Sequence, residues 1–361
     1  MDIENYIYKV ITSDGSGSAF KVEGYNFFIT NYHVVEGFFQ VALEDNNKNR
    51  YLADVIMIDP NMDIAFIYSK DLDNNNSLIK LDTNLEINRM DTLLIYGYPY
   101  GMPFTITKGI VSNPKQEIDG KYYIQTDAAI NPGNSGGAMV NSENKLIGIV
   151  SSKFSDADNM GFGISYKYLL DNIKNYLFDH NQIQYRCNSC NSYIDISKNQ
   201  IKDCPKCGNG IYERVYDKRE ESFIEEFINS ALNKINLSKS LTQVNKNYWE
   251  FYYEKCLIRI FNTNRTPDIL IATSPICNMP SNIDKNLMID LLSKNKYQPY
   301  MIGLSDNKIY LSYRIYVSDL RAKQYRDEIF SNFKEFAIFA DKIQKYFINT
   351  YNASLPNESK T

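Results

Sequence analysis

Short apolar runs separated by turn-forming residues characterise roughly the first 165 residues of the chain. Six of these runs have the length of a strand and are rich in β-branched and aromatic residues: SGSAFKVEGYNFFITN, YLADVIMI, DIAFIYS, DTLLIYGYP, KYYIQT and KLIGIVSSK. Clusters of Asp, Asn, Gly or Pro bound most of them. Because no helical pattern intervenes, this part of the chain predicts an all-β barrel or sandwich.

Helical periodicity begins immediately after these strands. The segment SYKYLLDNIKNYLFDH places apolar residues at helical spacing, and two C-x-x-C pairs follow within residues 187–207. After about residue 219 helical and strand patterns mix. ESFIEEFINSALNKI and NLMIDLLSKN predict helices, YWEFYYEKCLIRIFN and PDILIATSPI predict strands, MIGLSDNKIYLSYRIYV predicts a hairpin, and YRDEIFSNFKEFAIFADKIQKYFINTY predicts a long last helix.

These changes of pattern predict a multidomain chain. We expect a β domain over residues 1–180, a small cysteine-containing domain over 181–218 and an α+β domain over 219–361.

Composition and charge exclude some classes of partner and location. Hydrophobic residues make up 43% and charged residues 23% of the chain, which are ordinary globular proportions. The formal charge of -4 favours neither a nucleic acid nor a membrane surface as the main partner. The start, MDIENYIYKVITSDG, lacks a basic segment followed by an apolar run, so we expect no secretion signal and a cytoplasmic location.

The stretch NPGNSGG, residues 131–137, allows two interpretations. Its glycines suit a tight turn, and its serine, Ser135, suits a nucleophile whose neighbouring amides point at one substrate oxygen. A nucleophilic serine needs a base, and the base needs a third group to orient it. Of the two histidines, His180 ends a predicted helix beside a linker, whereas His33 ends an apolar strand. Asp63 opens the strand DIAFIYS, and the order His33, Asp63, Ser135 gives each of the three more weight than it has alone.

Several motifs resemble the trypsin-like serine proteases of the HtrA/Deg type. They are GSGSAF, FFITNYHVVEG, DIAFIY, YGYPYGMPFTITKGIVS, IQTDAAINPGNSGGAMVN and LIGIVSS followed by GFGISY, in the order and spacing of that family over roughly residues 10–180. The resemblance implies a chymotrypsin-like double β-barrel with the catalytic site in the cleft between the barrels. It also implies that the helical segment after GFGIS closes the second barrel, and that the chain is a bacterial serine endopeptidase.

The resemblance also implies a role for each site residue. Ser135 would be the nucleophile, His33 the general base and then the general acid, and Asp63 the group that orients and stabilises the histidine. The backbone amides of Gly133 and Ser135 would form the oxyanion hole. A protease fold that has become catalytically silent and acts as a scaffold or adaptor is the alternative, and the intact set of these residues argues against it.

The specificity pocket of this fold is lined by residues shortly before the serine and by the strand after it. In this sequence those segments are DAAINPG, GIVSSK and GFGIS. Ala129 places no charge at the floor of the pocket, so we expect a small-to-medium apolar side chain before the cleaved bond. Asp127 leaves a basic side chain open as an alternative, although the resemblance makes Asp127 structural.

The two cysteine pairs predict a metal site. Thirteen residues separate the pair Cys187 and Cys190 from the pair Cys204 and Cys207, which is the spacing of a zinc ribbon. Four thiolates leave no open coordination position, so we expect one structural zinc and a role in protein contact or spacing. A redox pair is the alternative, but it would need no second pair at this distance.

The pattern after residue 219 resembles the YbjN-like and type III secretion chaperone-like α+β fold. The segments YWEFYYEKCLIRIF and LMIDLLSKNKYQPYMIGLSDNKIYLSYRI carry this resemblance. The resemblance implies a domain that binds other proteins and often dimerises, and we expect it to stand where the HtrA/Deg family has its PDZ domain. We therefore expect this domain to recruit a protein substrate or partner, or to self-associate. An α+β domain whose strands are core on both faces is the alternative.

Overall fold

A computed structural model of the chain shows two units, Met1–Arg219 and Glu220–Thr361. The residues that the structure describes are 2–151, 160–176, 179–197, 201–211, 215, 220–263 and 265–359. The predicted strand KLIGIVSSK falls partly outside these ranges.

The first barrel of Met1–Arg219 consists of six antiparallel strands in the order β5-β4-β1-β2-β3-β6, and pairing between β5 and β6 closes it. The strands are β1 (Ile7–Thr12), β2 (Gly15–Lys21), β3 (Phe28–Thr30), β4 (Gln40–Glu44), β5 (Arg50–Asp59) and β6 (Ile64–Tyr68). All five residues of β6 are buried because each of its two faces packs against a different apolar cluster. Ala65 and Ile67 join the cluster of the first barrel, whereas Ile64 and Phe66 face a second cluster shared with the other barrel.

The second barrel is a closed sheet of six strands in the order β10-β11-β12-β9-β8-β7. They are β7 (Thr92–Gly97), β8 (Thr105–Ile118), β9 (Lys121–Thr126), β10 (Ala138–Asn141), β11 (Leu146–Ser151) and β12 (Gly161–Ser165). Leu93, Ile95, Val111, Ile124 and Met139 form part of its own apolar cluster. Together the two closed barrels confirm the predicted all-β double barrel.

A shared apolar cluster joins the two barrels. It contains Phe20 and Phe66 of the first barrel, Tyr96 and Val140 of the second, and Leu169 of the helix that follows β12. This helix, α2 (Tyr166–Asn175), begins at Ser165, whose hydroxyl accepts a hydrogen bond from the Lys167 amide. The shared cluster fixes the barrels against each other, so loops of both barrels meet at one cleft.

The described part of the cysteine segment extends the sheet of the first barrel. Strand β13 (Gln184–Arg186) pairs in parallel with the end of β5, and β14 (Tyr193–Asp195) pairs antiparallel with β13. A bulge in β5 between Val55 and Met57 precedes the residues that β13 contacts. Tyr185 is fully buried in the core of the first barrel. The described part of the segment predicted as a zinc ribbon therefore packs on the barrel.

The second unit, Glu220–Thr361, contains a six-stranded antiparallel sheet in the order β15-β16-β17-β18-β20-β19. Its strands are β15 (Gln243–Asn245), β16 (Tyr248–Tyr253), β17 (Cys256–Thr263), β18 (Thr266–Asn278), β19 (Met301–Ser305) and β20 (Lys308–Tyr316). The sheet and the helices of this unit share one core, which includes the buried Trp249, Cys256 and Cys277. This mixture of sheet and helix is the α+β arrangement expected from the sequence.

The helices of this unit are α3 (Phe223–Asn233), α4 (Lys239–Thr242), α5 (Lys285–Leu292), α6 (Val317–Arg321) and α7 (Lys323–Tyr351). Helix α3 begins with a capping box in which Ser222 and Glu225 each bind the other's backbone amide. No helix in the described ranges combines the length and apolar character that crossing a lipid bilayer requires.

Candidate active site

The imidazole of His33 and the carboxylate of Asp63 form a directly hydrogen-bonded pair. His33 lies in a short helical turn, α1 (Tyr32–Val35), after β3, and its Nδ1 is 2.8 Å from Asp63 Oδ2. The backbone amide of His33 donates to Asp63 Oδ1 at 2.9 Å. The Asn31 side chain, which is fully buried, donates to the backbone carbonyl of Asp63 at 3.0 Å. Both oxygens of the carboxylate therefore bind the segment that carries His33.

The pair is shielded on one side and open on the other. The side chain of Asp63 is 9% exposed, whereas that of His33 is 26% exposed. Asp63 lies in the turn before β6 with a left-handed φ of 57°. Aspartate tolerates this backbone region better than most residues that are not glycine.

The stretch NPGNSGG folds into two consecutive turns. The Asn134 amide donates to the Asn131 carbonyl at 3.0 Å, and the Gly137 amide donates to the Asn134 carbonyl at 2.9 Å. The third residues of these turns are Gly133, with φ of 97°, and Gly136, with φ of 82°. A positive φ at the third residue is the mark of a type II turn, which requires glycine or asparagine there.

Close backbone contacts exclude any side chain at both of these glycines. A Cβ atom on Gly133 would lie 2.4 Å from the Tyr98 carbonyl oxygen. A Cβ atom on Gly136 would lie 2.2 Å from the Ser18 carbonyl oxygen. The glycines therefore allow the serine loop to approach both barrels more closely than any other residue would permit.

Ser18 of β2 holds the serine loop from the first barrel, a contact that the sequence reasoning missed. Its amide donates to the Ser135 carbonyl at 2.8 Å. Its hydroxyl donates to the Gly133 carbonyl at 2.7 Å and accepts a hydrogen bond from the Tyr98 amide at 3.0 Å. Ser18 is fully buried. The motif GSGSAF pointed to this strand but not to this residue.

The peptide bond between Pro132 and Gly133 has a fixed orientation. The Pro132 carbonyl accepts a hydrogen bond of 2.6 Å from the amide of Tyr100, a residue with a left-handed φ of 53°. The carbonyl and amide of a trans peptide point in opposite directions. The Gly133 amide therefore points away from the Tyr100 segment.

One cavity of about 320 Å³ brings the predicted residues together. Its lining includes His33, Pro132, Gly133 and Ser135. Asp63 contacts His33, so all four predicted site residues lie at this cavity or directly behind it. His180 lies elsewhere, with its ring stacked on Tyr68 at a centroid distance of 4.9 Å.

The residues considered for substrate specificity take different positions. The carboxylate of Asp127 accepts a hydrogen bond from the Ile110 amide at 2.8 Å, which is a structural contact. The side chain of Ile130 reaches over Gly161, where its Cδ1 would lie 2.6 Å from an added Cβ atom. The end of GIVSSK, residues 152 and 153, lies outside the described residues.

The four cysteines Cys187, Cys190, Cys204 and Cys207 converge on one point. Their sulfur atoms all lie within 4.8 Å of one another. Cys187 Sγ is 3.7 Å from Cys207 Sγ, and Cys190 Sγ is 3.6 Å from Cys204 Sγ. A tetrahedral zinc with Zn–S bonds of about 2.3 Å requires sulfur separations of about 3.8 Å. The two separations of 3.7 Å and 3.6 Å match this geometry, and small movements of the sulfur atoms would let all four thiols hold one zinc ion.

The two C-x-x-C segments have matching backbones. The Asn191 amide donates to the Cys187 carbonyl at 2.9 Å, and the Gly208 amide donates to the Cys204 carbonyl at 2.8 Å. Asn191 and Gly208 both have a positive φ, at 57° and 73°. Each pair thus ends in the same left-handed turn, which brings its two sulfur atoms to one side.

The surroundings of the two exposed thiols, Cys190 and Cys207, shift their pKa values in opposite directions. Hydrogen bonds with the hydroxyl and the backbone of Ser192 lower the pKa of Cys190 to about 6. For Cys207, the Asn209 amide lowers the pKa, but desolvation and the neighbouring thiols raise it more, to about 11. Binding of a metal would displace the thiol protons that remain.

Comparison with known proteins shows that the double barrel is similar to trypsin-like proteases. Residues 15–149 match the family described as trypsin-like peptidase domain. A probable serine protease do-like from Buchnera aphidicola subsp. Acyrthosiphon pisum is 40% identical over 142 residues, which are 38% of this chain and 30% of that protein. A probable periplasmic serine endoprotease DegP-like from Marinomonas sp. is 32% identical over 160 residues, which are 43% of this chain and 33% of that protein.

Solved structures show the same kind of match. The HtrA-type protease AlgW with tripeptide is 31% identical, with a TM-score of 0.43, and the match covers 48% of this chain and 60% of that one. The serine endoprotease from Yersinia pestis is 27% identical, with a TM-score of 0.42, and the match covers 48% of this chain and 62% of that one. The chain spans about a third of the length of the curated relatives it matches.

The predicted cytoplasmic location is wrong. Relatives from Marinomonas, Buchnera and Chlamydia are named periplasmic serine endoproteases, which conflicts with it. The prediction rested on the first residues of the sequence, whereas the match to the peptidase family covers residues 15–149.

The comparisons support the predicted enzyme class. Residues 15–149 match a trypsin-like peptidase domain, and the relatives that the chain matches are named serine proteases of the HtrA-like and DegP-like type.

Proposed function

We propose that this chain is a serine endopeptidase that cleaves protein substrates through an acyl-enzyme. The observation that carries the proposal is the single cavity lined by Ser135, Gly133 and His33, with Asp63 bound to the histidine. A nucleophile, a base, an orienting carboxylate and amide donors are the groups that acyl transfer requires.

The His33–Asp63 contact determines which nitrogen acts as the base. With Nδ1 at 2.8 Å from a carboxylate oxygen, the ring proton lies on Nδ1 and is donated to Asp63. Nε2 is then free to accept the proton of the Ser135 hydroxyl as its oxygen attacks the peptide carbonyl. Asp63 stabilises the imidazolium that forms, and Nε2 next donates the proton to the leaving amine. A water molecule, activated in the same way, hydrolyses the acyl-enzyme.

The amides of Gly133 and Ser135 are the proposed donors to the oxyanion. They lie in the two turns of NPGNSGG, which fix their directions before substrate binds. Loss of one such donor typically lowers kcat by about 100- to 1000-fold.

The substrate residue before the cleaved bond is proposed to be a small-to-medium apolar one. Ala129 brings no charge to the predicted pocket, and Ile130 occupies space beside Gly161. Asp127 is engaged by the Ile110 amide, which argues against its recognising a basic side chain.

Ser18 is proposed to be a positioning residue. It binds the carbonyls of Gly133 and Ser135 but does not line the cavity, so it acts on the oxyanion donors through the loop. Its hydroxyl also satisfies the Tyr98 amide, which joins the second-barrel loop to the same point.

The cysteine cluster is proposed to hold one structural zinc. Cys187, Cys190, Cys204 and Cys207 would supply all four ligands, so the ion would fix the chain without contacting substrate. Metal binding would provide much of the folding energy of so short a segment.

The second unit is proposed to recruit the protein substrate or a partner. It exposes apolar residues on α5 and on the edge strand β19, among them Ile289, Leu292 and Leu304, which are 52%, 73% and 54% exposed. A cavity of about 810 Å³, lined in part by Leu291 and Met301, opens between these elements. The unpaired backbone of an edge strand can bind an extended peptide, and exposed apolar patches often mark binding sites.

Ser135→Ala and His33→Ala should each reduce kcat for an unstructured peptide on the order of 10⁶-fold, because the two residues act as one unit. Steady-state kinetics of the two variants beside the unaltered chain test this. Full hydrolysis by Ser135→Ala would refute the mechanism.

Ser18→Ala should lower kcat by about 10- to 100-fold with little change in KM, because the Gly133 carbonyl loses its donor. Ser77→Ala is the matched control, since this buried serine also donates to a carbonyl, of Lys21, and accepts from an amide, of Ile79. Each variant should lose about 1–3 kcal/mol of unfolding free energy. Equal kcat values for the two variants would show that Ser18 is only structural.

Protein purified without chelator should contain one zinc per chain, and Cys204→Ser should lose it. Cys256→Ser is the control, since Cys256 lies buried in the second unit and should leave the zinc content unchanged. Elemental analysis measures the ratio. Metal-free protein from zinc-replete cells would contradict the proposed site.

Leu292→Glu combined with Leu304→Glu should raise KM for an unfolded protein substrate by about 10-fold, because both charges fall on the proposed binding surface. Hydrolysis of a short peptide should not change. Ile338→Glu, at a position on α7 that is 47% exposed, is the control and should have no effect on either substrate. An unchanged KM for the protein substrate would exclude recruitment by this surface.

A further inference from the structure

A buried carboxylate joins the turn that carries Asp63 to two other elements. Asp59, the last residue of β5, is 1% exposed. Its Oδ1 accepts a hydrogen bond from the Met62 amide at 3.0 Å. Its Oδ2 accepts from Arg186 Nη1 at 3.2 Å and from Asn172 Nδ2 at 3.0 Å. The turn, the cysteine segment and helix α2 thus meet at one side chain.

The turn itself has a conformation that its neighbours must maintain. Asp63 has a left-handed φ of 57°, and the residue before it, Met62, is bound through its amide to Asp59. The Lys121 ammonium group of the second barrel binds the Asn61 carbonyl. A backbone conformation of this kind persists where the surroundings over-determine it. Asp59 is the support that links this turn to the cysteine segment.

The cysteine segment holds Asp59 by two routes. Arg186 immediately precedes Cys187, and its guanidinium binds both Asp59 and, through Nη2, the carboxylate of Asp171 on α2. Tyr193, which lies between the two cysteine pairs, donates its hydroxyl to Asn172 Oδ1 at 2.8 Å. Asn172 in turn donates to Asp59. Among the described residues, Arg186 of the cysteine segment is therefore the only cationic side chain that binds the buried Asp59 carboxylate.

We propose that Arg186 is a positioning residue for Asp63, and that the four-cysteine cluster keeps it in place when it holds its metal. The inference rests on the proposed peptidase function. Release of the metal would free Cys187 and loosen β13, whose last residue is Arg186. Asp59 would then be a buried charge without its cation, a state that proteins avoid by rearranging or by admitting water.

A shift of the Asp59–Asp63 turn would act on catalysis through His33. Both oxygens of the Asp63 carboxylate bind the His33 segment, so displacement of the turn changes the orientation of the imidazole. A misplacement of about 1 Å in a catalytic group can cost about 100-fold in rate. The zinc would thus have four cysteine ligands and no contact with substrate, and its loss would nevertheless lower kcat.

The test compares Arg186→Met with Arg50→Met in the full chain. Arg50 is at the opposite end of β5, binds Glu44 at 2.7 Å, and has a side chain 12% exposed, against 11% for Arg186. Arg186→Met should lower kcat about 100-fold with KM nearly unchanged. It should also shift or broaden the low-field NMR resonance of the proton shared by His33 and Asp63. Arg50→Met should change neither quantity.

Tyr193→Phe provides a second variant that removes one hydroxyl and should fold even where Arg186→Met does not. It should move the same resonance in the same direction by a smaller amount. Chelation of the metal from the unaltered chain should shift the His33 resonance as Arg186→Met does. Chelation of the Arg186→Met variant should shift this resonance little further, because chelation and the substitution both act through the contact between Arg186 and Asp59.

An unmoved His33 resonance in folded Arg186→Met or Tyr193→Phe would overturn the inference, as would fully additive effects of chelation and Arg186→Met. Failure of the proposed function gives a different result. An unaltered chain that shows the His33 resonance but hydrolyses no peptide contradicts the peptidase proposal, and the resonance still reports whether Arg186 positions the pair.

Discussion

The arrangement proposed for catalysis depends on the attachment of the serine loop to the first barrel through Ser18. This residue binds the carbonyls of Gly133 and Ser135, and its hydroxyl also satisfies the Tyr98 amide. The barrels share an apolar core, but apolar contacts are not directional and cannot orient a peptide group. Hydrogen bonds to two carbonyls supply that direction. Gly133 and Gly136 make the attachment possible because any side chain there would collide with backbone atoms.

A second group of polar contacts fixes His33, the proposed base. The Asp63 carboxylate binds both the ring and the backbone amide of His33, and the turn that carries it is held by Asp59. Asp59 is where the additional cysteine segment of this chain meets the peptidase domain, through Arg186. The cysteine segment therefore lies at a position from which it can affect the proposed catalysis without reaching the cleft. The double barrel supplies the groups, and the polar contacts at its edges determine their alignment.

Local sequence predicts those parts of the site whose chemistry or backbone geometry depends on residues that are close together in the chain. In each of the two turns of NPGNSGG, the third residue is the one that requires a positive φ, and it is a glycine, Gly133 or Gly136. The tight turns could therefore be predicted from these seven residues alone. The spacing of the two C-x-x-C pairs in the sequence also predicted that the four cysteines lie close together, which the structure confirms. Ser18 and Arg186 could not be found in this way, because their partners Gly133 and Asp59 lie 115 and 127 positions away. Strand β13 is only three residues long, so its sequence shows no alternation of apolar and polar residues that would predict a strand pairing with β5.

The central claim is that Ser135 is a nucleophile activated by His33. Peptide mapping by mass spectrometry after reaction with a fluorophosphonate tests it most directly, since this reagent phosphonylates an activated serine hydroxyl and needs no knowledge of the substrate. We predict a single adduct on Ser135 in the full chain and none in His33→Ala. An adduct on another serine, or equal labelling of Ser135 without His33, would contradict the claim.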